Sequence, residues 1–398
     1  MSVNGTSVAI AGGGIAGMTT ALLLARAGAS VTLLERVSEP SAVGAGILLQ
    51  PNGLAVLAGL GLDQALDRHG HRPVGTAIRS ADGTRILWTS PPDHGRWFDR
   101  LLGLRRSRLH QCLLGAVRDH PGITTCLGAT VVAAHPAGRV QVRSRGRDRT
   151  VEADLVVGAD GVGSTVRDHG DFGAQVRASG AVYIRGLVAG DDLGLKDEYW
   201  TPLGLFGGLP MGDGSTYFYA AATAPPVAAT VASGDVDALR RRWAAVLPLA
   251  GRVLDRVGSF QELLVNEVAR VDCARWSDGR LVLVGDAAHA MAPNLGQGAN
   301  SALVDAAVLS TALAGEHPVE RALARYAAWR RPAVRRVQDD ADRLARLSSL
   351  SSPRSRTLRD IALRLSGRPL RWLDTRSHRL QQQDPASLYA AVRALTAP

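Results

Sequence analysis

The stretch Ser7-Val8-Ala9-Ile10-Ala11-Gly12-Gly13-Gly14-Ile15-Ala16-Gly17 decides the fold of this chain. Its apolar first half predicts a short buried strand, and its glycines stand directly before a helical stretch, Met18 to Gly28. In this G-x-G-x-x-G spacing Gly12 permits a tight turn, Gly14 lets the backbone approach a pyrophosphate, and Gly17 lets the helix pack closely on the strand. We therefore expect a strand, turn and helix of the kind that binds dinucleotides.

An acidic residue follows the next strand along the chain. Ser30-Val31-Thr32-Leu33-Leu34 predicts that strand, and Glu35 at its end is placed to accept hydrogen bonds from an adenosine ribose. A glycine-rich turn without a ligand is the alternative, which the order of strand, turn, helix, strand and acid disfavours. This unit does not distinguish NAD from FAD. The loop Gly44-Ala45-Gly46 begins to do so, because small residues let a flat ring system lie against the backbone.

Two later stretches, Gly285-Asp286-Ala287-Ala288-His289 and Pro293-Asn294-Leu295-Gly296-Gln297-Gly298-Ala299-Asn300, favour FAD more directly. An acid that ends a buried strand, here Asp286, can bind a ribityl hydroxyl, and a glycine-rich helix start can face an electron-rich ring. A helix N-cap is the alternative role for Asp286. For His289 we expect a structural histidine with a satisfied ring.

Two further motifs are weaker when taken alone. Leu155-Val156-Val157-Gly158 predicts a strand that leads to an Asp160-Gly161 corner, and ligands of α/β sheets bind at such strand ends. A plain Asp-Gly turn is the alternative. Arg105-Arg106 precede a predicted helix from about Ser107 to His120, and one of the two would pair with a phosphate unless both are solvated.

From Phe172 to about Val268 the sequence changes to short alternating or aromatic runs, which predict an antiparallel sheet with a helix at Val236 to Ala250. The runs 75–79 and 86–88 predict a hairpin of the same sheet. The expected domains are therefore a binding domain of residues 1–70, 100–171 and 269–330, a sheet domain of 71–99 and 172–268, and an Arg-rich helical segment, 331–398. In that segment Leu358, Ile361, Leu363, Leu365 and Leu370 are expected to make apolar contacts.

The formal net charge of +10 is concentrated at one end of the chain. Arg321 to Pro398 hold 17 Arg and 6 Asp, whereas the first 320 residues hold 29 basic and 30 acidic residues. We interpret the excess as solvated helix faces rather than as a patch for anions or a membrane surface, and we expect no nucleic-acid partner.

The same composition excludes other classes of protein. The chain has no run of eighteen apolar residues and no charged segment before its first strand, so we expect no membrane span, no signal peptide and, by default, a cytoplasmic monomer or homodimer. Cys112, Cys126 and Cys273 are scattered, which argues against a disulfide framework and against a zinc site. No metal is expected.

With these blocks in order, the first 330 residues or so resemble a group A flavoprotein monooxygenase, the family of p-hydroxybenzoate hydroxylase and salicylate hydroxylase. The resemblance implies a Rossmann-like FAD-binding domain of the glutathione-reductase type, an antiparallel β-sheet substrate domain and C-terminal helices. The cofactor-binding residues that we expect are Gly12, Gly14, Ile15, Ala16, Gly17, Glu35, Arg36, Gly46, Arg106, Val131, Asp160, Gly161, Asp286, Gly296, Gln297, Gly298, Ala299 and Asn300.

The resemblance also implies a reaction. NADH or NADPH would reduce the FAD, and O2 would add to the flavin as a C4a-hydroperoxide that hydroxylates or epoxidises an aromatic or polycyclic small molecule. Because no second G-x-G-x-x-G occurs, the nicotinamide donor would visit transiently. The alternatives are an FAD-dependent oxidoreductase without oxygen insertion and a non-catalytic FAD-binding module.

The expected catalytic residues are Pro293, Arg185 and Tyr217. Pro293 would lie against the flavin ring where oxygen adds. Strand alternation places Tyr183 with Arg185, and Tyr217 with Tyr219, on common faces, where a phenolic proton would be accepted. Whether these faces line a pocket or point elsewhere stays open at the level of sequence.

Overall fold

A computed structural model describes residues 3–39, 45–91, 93–315, 318–366 and 383–395. The helices in these ranges are α1 Ile15–Arg26, α2 Pro51–Gly59, α3 Asp63–Asp67, α4 Arg106–Asp119, α5 Thr165–His169, α6 Pro225–Ser233, α7 Val236–Val246, α8 Pro248–Leu254, α9 Asp286–His289, α10 Gly298–Gly315, α11 Val319–Ser348, α12 Pro353–Ser366 and α13 Pro385–Leu395. None of them combines the length and hydropathy of a membrane span.

The strands in the same ranges form four sheets. They are β1 Ser7–Ala11, β2 Ser30–Glu35, β3 Gly46–Leu49, β4 Thr76–Ser80, β5 Arg85–Thr89, β6 Leu102–Arg105, β7 Ile123–Leu127, β8 Ala129–His135, β9 Arg139–Ser144, β10 Arg147–Glu152, β11 Leu155–Gly158, β12 Ala174–Ala189, β13 Glu198–Thr201, β14 Gly204–Pro210, β15 Ser215–Ala221, β16 Leu264–Cys273, β17 Ser277–Asp278 and β18 Leu281–Leu283.

A mostly parallel sheet with the order β17-β18-β11-β1-β2-β7 forms the centre of the first layer. Its strands β1 and β11 are apolar and buried, as expected for strands that are covered on both faces. Ala11 at the end of β1 pairs with Gly158 of β11, which pairs with Leu283 of β18. Since the three strands are parallel, the segments that follow them meet at one edge of the sheet.

The second large sheet has seven strands in the order β16-β12-β15-β14-β13-β4-β5. The hairpin predicted from residues 75–88 is part of it, as β4 and β5, and β4 runs parallel to β13. One face carries Ile184, Phe206 and Phe218, which pack against Leu239 and Trp243 of α7. The other face is turned towards the first layer, since Tyr183 clusters with Ala292 and Tyr217 with Ala45.

The structure corrects two details of the predicted sheet region. The helix predicted over Val236 to Ala250 is two helices, α7 and α8, because Pro248 disfavours a helical conformation of Leu247, whose φ of −149° and ψ of 97° are extended. The sequence also predicts two strands, at 130–133 and 140–142. They belong to a three-stranded antiparallel sheet whose third strand, β10, is largely exposed and carries no hydrophobic pattern.

Helix α11 joins the two layers. It runs without a break across residues 330 and 331, where the sequence placed a domain boundary. Arg270 of β16 forms ion pairs with Asp339 and Asp342 of this helix at 2.9 and 2.5 Å. The Nε2 of Gln338 donates to the carbonyl of Val271 at 2.8 Å. The helix therefore fastens the edge strand of the second sheet.

The C-terminal helices differ from the expectation in a specific way. Of the predicted apolar contacts only Leu363 packs inward, on a cluster that contains Trp200, whereas Leu358, Ile361 and Leu365 are 68%, 48% and 68% exposed. Leu370 lies outside the described residues. Helix α13 belongs to the segment that was interpreted as solvated helix faces, yet it places Leu388 and Val392 in the main core against α2.

Candidate active site

The glycine loop at the end of β1 has the conformation that its spacing predicts. Gly12 has a φ of +100°, and a Cβ atom there would lie 2.5 Å from the carbonyl oxygen of Ala159. A Cβ at Gly17 would overlap the carbonyl oxygen of Gly12, so helix and turn are packed at backbone contact. A Cβ at Gly14 would meet no atom within 4 Å, and α1 begins there without a side-chain cap. The first N–H groups of α1 are therefore open to an anion.

Glu35 closes one side of this loop. Its Oε2 accepts from the N–H of Gly13 at 2.6 Å and its Oε1 from the N–H of Val37 at 2.8 Å. Each carboxylate oxygen retains a second lone pair, so a ribose hydroxyl remains a feasible donor to it. His110 of α4 also hydrogen-bonds the backbone of Gly13; burial lowers the pKa of His110, and this hydrogen bond opposes the shift. No pattern in the sequence predicted a role for His110.

Asp286 lies at the same edge, after β18. It is the first residue of α9 and is exposed, and the N-cap position is taken by Gly285, so the alternative role as helix N-cap is not what the structure contains. Gly285 has a φ of +60° and a ψ of −142°, a conformation that disfavours other residues. Its N–H donates to Oδ2 of Asp305 at 3.0 Å. This bond sets the direction in which Asp286 leaves the strand.

Below this edge lies a buried charged cluster of His289, Asp305 and Arg330. The Nε2 of His289 hydrogen-bonds Oδ2 of Asp305 and the His289 ring stacks on Trp276 at 5.1 Å. The Nδ1 of His289 is buried without a partner in the described ranges, so the ring is only partly satisfied. Burial opposes the ionisation of Asp305, but the charges of His289 and Arg330 outweigh it and lower the pKa of Asp305 to about 2. The cluster anchors the start of the ribityl-binding segment predicted from sequence.

Gln297 and Asn300 were both predicted to bind the cofactor. Their side chains form hydrogen bonds with other residues of the protein instead. Asn300 accepts from the N–H of Gln50 at 2.9 Å and donates to the carbonyl of Gly296 at 2.7 Å. Gln297 accepts from Asn52 at 3.0 Å and donates to Gln50 at 2.6 Å. Only their main-chain groups at the start of α10 remain available to a ligand.

A Cβ at Gly298, the first residue of α10, would meet nothing within 4 Å. Ala299 is half-buried in the same turn, and Gly296 precedes it with a φ of +62°. The start of α10 is thus open on the side that does not face Gln50 and Asn52, the residues that Gln297 and Asn300 contact. The first N–H groups of this helix have no acceptor within the helix itself.

The Asp160-Gly161 corner follows β11. Asp160 accepts from the hydroxyl of Ser164 and, at 3.2 Å, from the N–H of Val166, while burial raises the pKa of Asp160. Gly161 has a φ of +79° and open space around its Cβ position. Arg167 is buried and donates to the carbonyls of Val162 and Ala287 at 2.7 and 3.2 Å. The carboxylate thus shapes its own turn, and the arginine ties that turn to α9.

The remaining predicted cofactor residues are spread around this edge. Arg106 begins α4 and is exposed, with its N–H on the carbonyl of Ala45, whereas Arg105 pairs with Asp213. Arg36 is exposed after β2. The side chain of Val131 is buried in the core, so only its backbone is accessible. Ile15 is buried and Ala16 half-buried within α1, and Gly44 lies outside the described residues.

The four polar side chains predicted on the substrate sheet share one face. Pairing of β12 with β15 places Arg185 opposite Tyr219 and Leu187 opposite Tyr217. This is the face turned to the first layer: Tyr183 packs with Ala292 and Leu295, and Tyr217 with Ala45 and Met211. The sequence could not choose between this face and the opposite one.

Three contacts fix this face against the binding edge. The hydroxyl of Tyr183 donates to Oδ1 of Asn294, next to Pro293, at 3.0 Å. A Cβ at Gly46 would lie 2.6 Å from the Tyr217 ring, so the absence of a side chain there admits the tyrosine. Burial raises the pKa of Tyr217 to about 12, although Arg185 and Arg106 oppose the shift. Tyr217 is therefore a neutral donor near pH 7.

Arg185 brings a positive charge to the same face. Its Nη2 donates to Oδ1 of Asn266 at 3.1 Å, and its Nε is buried without a partner among the described residues. Glu198 and Trp200 of β13 were not predicted. Both lie on this face, and their spacing of two residues in a strand was the signal available.

The FAD binding domain family matches residues 5–341 of this chain. The aurachin C monooxygenase/isomerase of Stigmatella aurantiaca is 35% identical over 346 residues, which cover 84% of this chain and 87% of that protein. The 3-amino-4-hydroxybenzoate 2-monooxygenase of Streptomyces cremeus is 34% identical over 389 residues, 92% and 94% of the two chains.

Among solved structures, the tetrameric form of 2-methyl-3-hydroxypyridine-5-carboxylic acid oxygenase superposes with a TM-score of 0.76 at 30% identity, covering 88% of this chain and 93% of that one. The match thus extends over both the glycine loop at one end of the site and the Asp286 segment at the other. The chain belongs to the FAD binding domain family and, within it, to the group A FAD-dependent monooxygenases.

Proposed function

We propose that this monooxygenase uses NADH or NADPH and O2 to insert an oxygen atom into an aromatic or polycyclic small molecule. One observation carries the proposal: the sheet face with Tyr183, Arg185, Tyr217 and Tyr219 is turned towards Ala45 and towards the segment between α9 and α10. A substrate between the two layers would thus lie beside the cofactor.

The residues at this edge fit FAD. The open Cβ positions of Gly14 and Gly298 and the uncapped start of α1 leave backbone N–H groups for the pyrophosphate and for the flavin ring. We assign the adenosine ribose to Glu35 and the ribityl chain to Asp286. Bound FAD would supply the two-electron chemistry and the activation of O2, which side chains cannot provide.

The chain's own residues would bind and orient the substrate. Tyr217 stays protonated and donates, and the half-buried guanidinium of Arg185 offers a positive charge to an anionic or electron-rich group. Pro293 and Gly46 border the site with little bulk and no exchangeable proton. The apolar surroundings of Tyr217, which include Ala45, Leu209 and Met211, would exclude water from the reacting atoms.

The names of the relatives support an aromatic substrate with an ionisable ring substituent. One acts on an aminohydroxybenzoate, and a structural neighbour on a hydroxypyridine carboxylic acid. The nicotinamide donor is proposed to bind transiently, because the sequence has no second G-x-G-x-x-G.

Two measurements test the proposal. Purified holoprotein is assayed for NADH and NADPH oxidation over a panel of hydroxylated benzoates, hydroxypyridines and quinolones, and each active compound is then turned over under ¹⁸O2. We expect stimulated oxidation and one ¹⁸O atom in the product. An oxidised product without ¹⁸O would instead support an FAD oxidoreductase that does not insert oxygen. No stimulation by any compound would support a non-catalytic FAD module.

A further inference from the structure

Glu198 is a half-buried carboxyl on the wall of the proposed substrate site. Strand pairing places Arg185, Tyr219, Gly207 and Glu198 in one row across β12, β15, β14 and β13. A Cβ at Gly207 would lie 2.6 Å from the Tyr219 hydroxyl, so the tyrosine lies across a strand position that has no side chain. The gap lets Tyr219 reach Glu198 two strands away.

Both oxygens of this carboxyl accept a hydrogen bond. Tyr219 donates its hydroxyl to Oε2 at 3.0 Å, and Trp200 donates Nε1 to Oε1 at 2.6 Å. Burial raises the pKa of Glu198, and the two donors oppose the shift. No Arg or Lys in the described ranges forms an ion pair with Glu198. A carboxyl kept in such surroundings without a cation is more basic than one on the surface.

The other groups around the pair do not supply a competing acceptor. Tyr183 on β12 and Tyr217 on β15 are phenols whose pKa values burial raises, and Arg185 is a cation. On the side of β4, Ile78 pairs with Glu198 and is apolar. Behind Trp200 lies the guanidinium of Arg359, which is engaged by Asp360. Glu198 is thus the carboxylate that faces this part of the site in the described chain.

We infer that Glu198, through Tyr219, accepts the proton of a substrate hydroxyl or ring N–H, so that the site selects phenols and hydroxylated N-heteroaromatics. The inference rests on the proposed function. The substrate O–H bond breaks as its proton passes to the Tyr219 oxygen, and the Tyr219 proton passes to Oε2 of Glu198. The substrate becomes an anion, Glu198 becomes neutral, and no electrons are exchanged. An anionic ring is more electron-rich and hence more reactive towards an electrophilic oxygen.

A purely structural carboxyl would fix Tyr219 and Trp200 but would accept no proton from a ligand. Two matched probes separate these roles: 4-nitrophenol, whose anion is yellow, and 4-nitroanisole, which has no acidic proton. Each is titrated into FAD-loaded protein at a pH where free 4-nitrophenol is mostly neutral. The proteins are the wild type, Glu198→Gln, Tyr219→Phe and, as a control, Glu262→Gln at an exposed position.

We expect wild-type protein and the Glu262→Gln variant to bind 4-nitrophenol as the yellow anion. In the Glu198→Gln and Tyr219→Phe variants the anion fraction and the affinity should fall by about tenfold, the effect of a one-unit change in the pKa of the bound phenol. Affinity for 4-nitroanisole should stay within about twofold in all four proteins, a difference well below that effect.

An undiminished anion band in Glu198→Gln overturns the inference, as does a wild type that binds the phenol only in its neutral form or binds neither probe. An equal loss of both probes shows a collapsed pocket and contradicts it too. The ¹⁸O experiment measures a turnover product, whereas these titrations measure binding in the absence of NADH and NADPH. Failure of oxygen insertion is therefore distinguishable from failure of proton acceptance.

Discussion

The Nε of Arg330 donates to Oδ1 of Asp305 at 2.7 Å, with 3% of the arginine side chain and none of the aspartate exposed. The same guanidinium donates to the carbonyl of Ser301 at 3.3 Å, and Asp305 accepts from the N–H of Gly285. One ion pair therefore fixes the segment before Asp286 and the first turn of α10. Both segments are assigned to FAD in the proposed function.

Replacing Asp305 with Asn should destabilise the protein. The change leaves Arg330 buried without its counter-charge, which typically costs about 3–5 kcal/mol of unfolding free energy. Asp148→Asn is the matched control, since Asp148 pairs with Arg143 on the surface, where water screens the pair and its loss should change stability little. Urea unfolding of both variants checks the difference, and equal losses would contradict the role of the cluster.

The same aspartate should contribute to acid unfolding. Its pKa is about 2 in the folded protein, against an ordinary value of 3.8. A lowered pKa gives stability that is complete above the unfolded value and is lost as pH falls through the folded value, here between about pH 4 and pH 2. The amount is about 2 kcal/mol. The difference in unfolding free energy between the wild type and Asp305→Asn should shrink over that range; a constant difference would show that Asp305 does not titrate there.

Replacing two helical glycines by alanine should have different effects: the change at Gly17 should weaken FAD binding, whereas the change at Gly115 should stabilise the protein. In Gly17→Ala the new methyl would overlap the carbonyl of Gly12, so the glycine loop must shift and FAD affinity should fall at least about tenfold, or about 1.4 kcal/mol. Gly115 of α4 has open space at its Cβ position, so Gly115→Ala should stabilise the protein by up to about 1 kcal/mol. Thermal midpoints and FAD fluorescence titrations report both effects, and tight FAD binding by Gly17→Ala would refute the close packing.

Asp286→Ala should yield folded protein with little bound flavin. The side chain is exposed and its removal leaves the Gly285 to Asp305 hydrogen bond in place, so we expect the thermal midpoint of the apoprotein to change little. Asp119→Ala, at the end of α4, is an exposed control that should keep its FAD. The flavin-to-protein absorbance ratio after purification measures occupancy, and full occupancy in Asp286→Ala would remove Asp286 from the site.

The C-terminal helix α13 should be required for stability. Ending the chain after Ser352 would uncover α2, because Val392 is fully buried and lies against Gly59. A milder test is Val392→Ala, with an expected cost of about 2 kcal/mol from the cavity it leaves. Leu358→Ala, 68% exposed, should stay within about 0.5 kcal/mol. Similar unfolding midpoints for the two variants would contradict the packing.

The sequence predicted those features of the molecule that are determined by residues close together in the chain. The conformations of Gly12 and Gly17 follow from spacing, and the order of the motifs fixes which strand ends share an edge. The direction of the sheet face with Tyr217 did not follow, since alternation is the same on either face. Glu198 was missed because its partner Tyr219 is two strands away in space and twenty-one residues away in sequence. The core role of α13 was missed because an Arg-rich composition suggested a solvated tail.

Helix α11 sets a limit on how enzymes of this kind can be recombined. It holds Asp305 through Arg330 in its first half and strand β16 through Asp339 and Asp342 in its second half. A substrate sheet transplanted from a relative would therefore lack its ion pairs with α11 unless the second half of the relative's helix were transferred with the sheet. Exchange of specificity should accordingly succeed with crossovers placed inside α11, after Arg330, and fail with crossovers at the ends of the sheet.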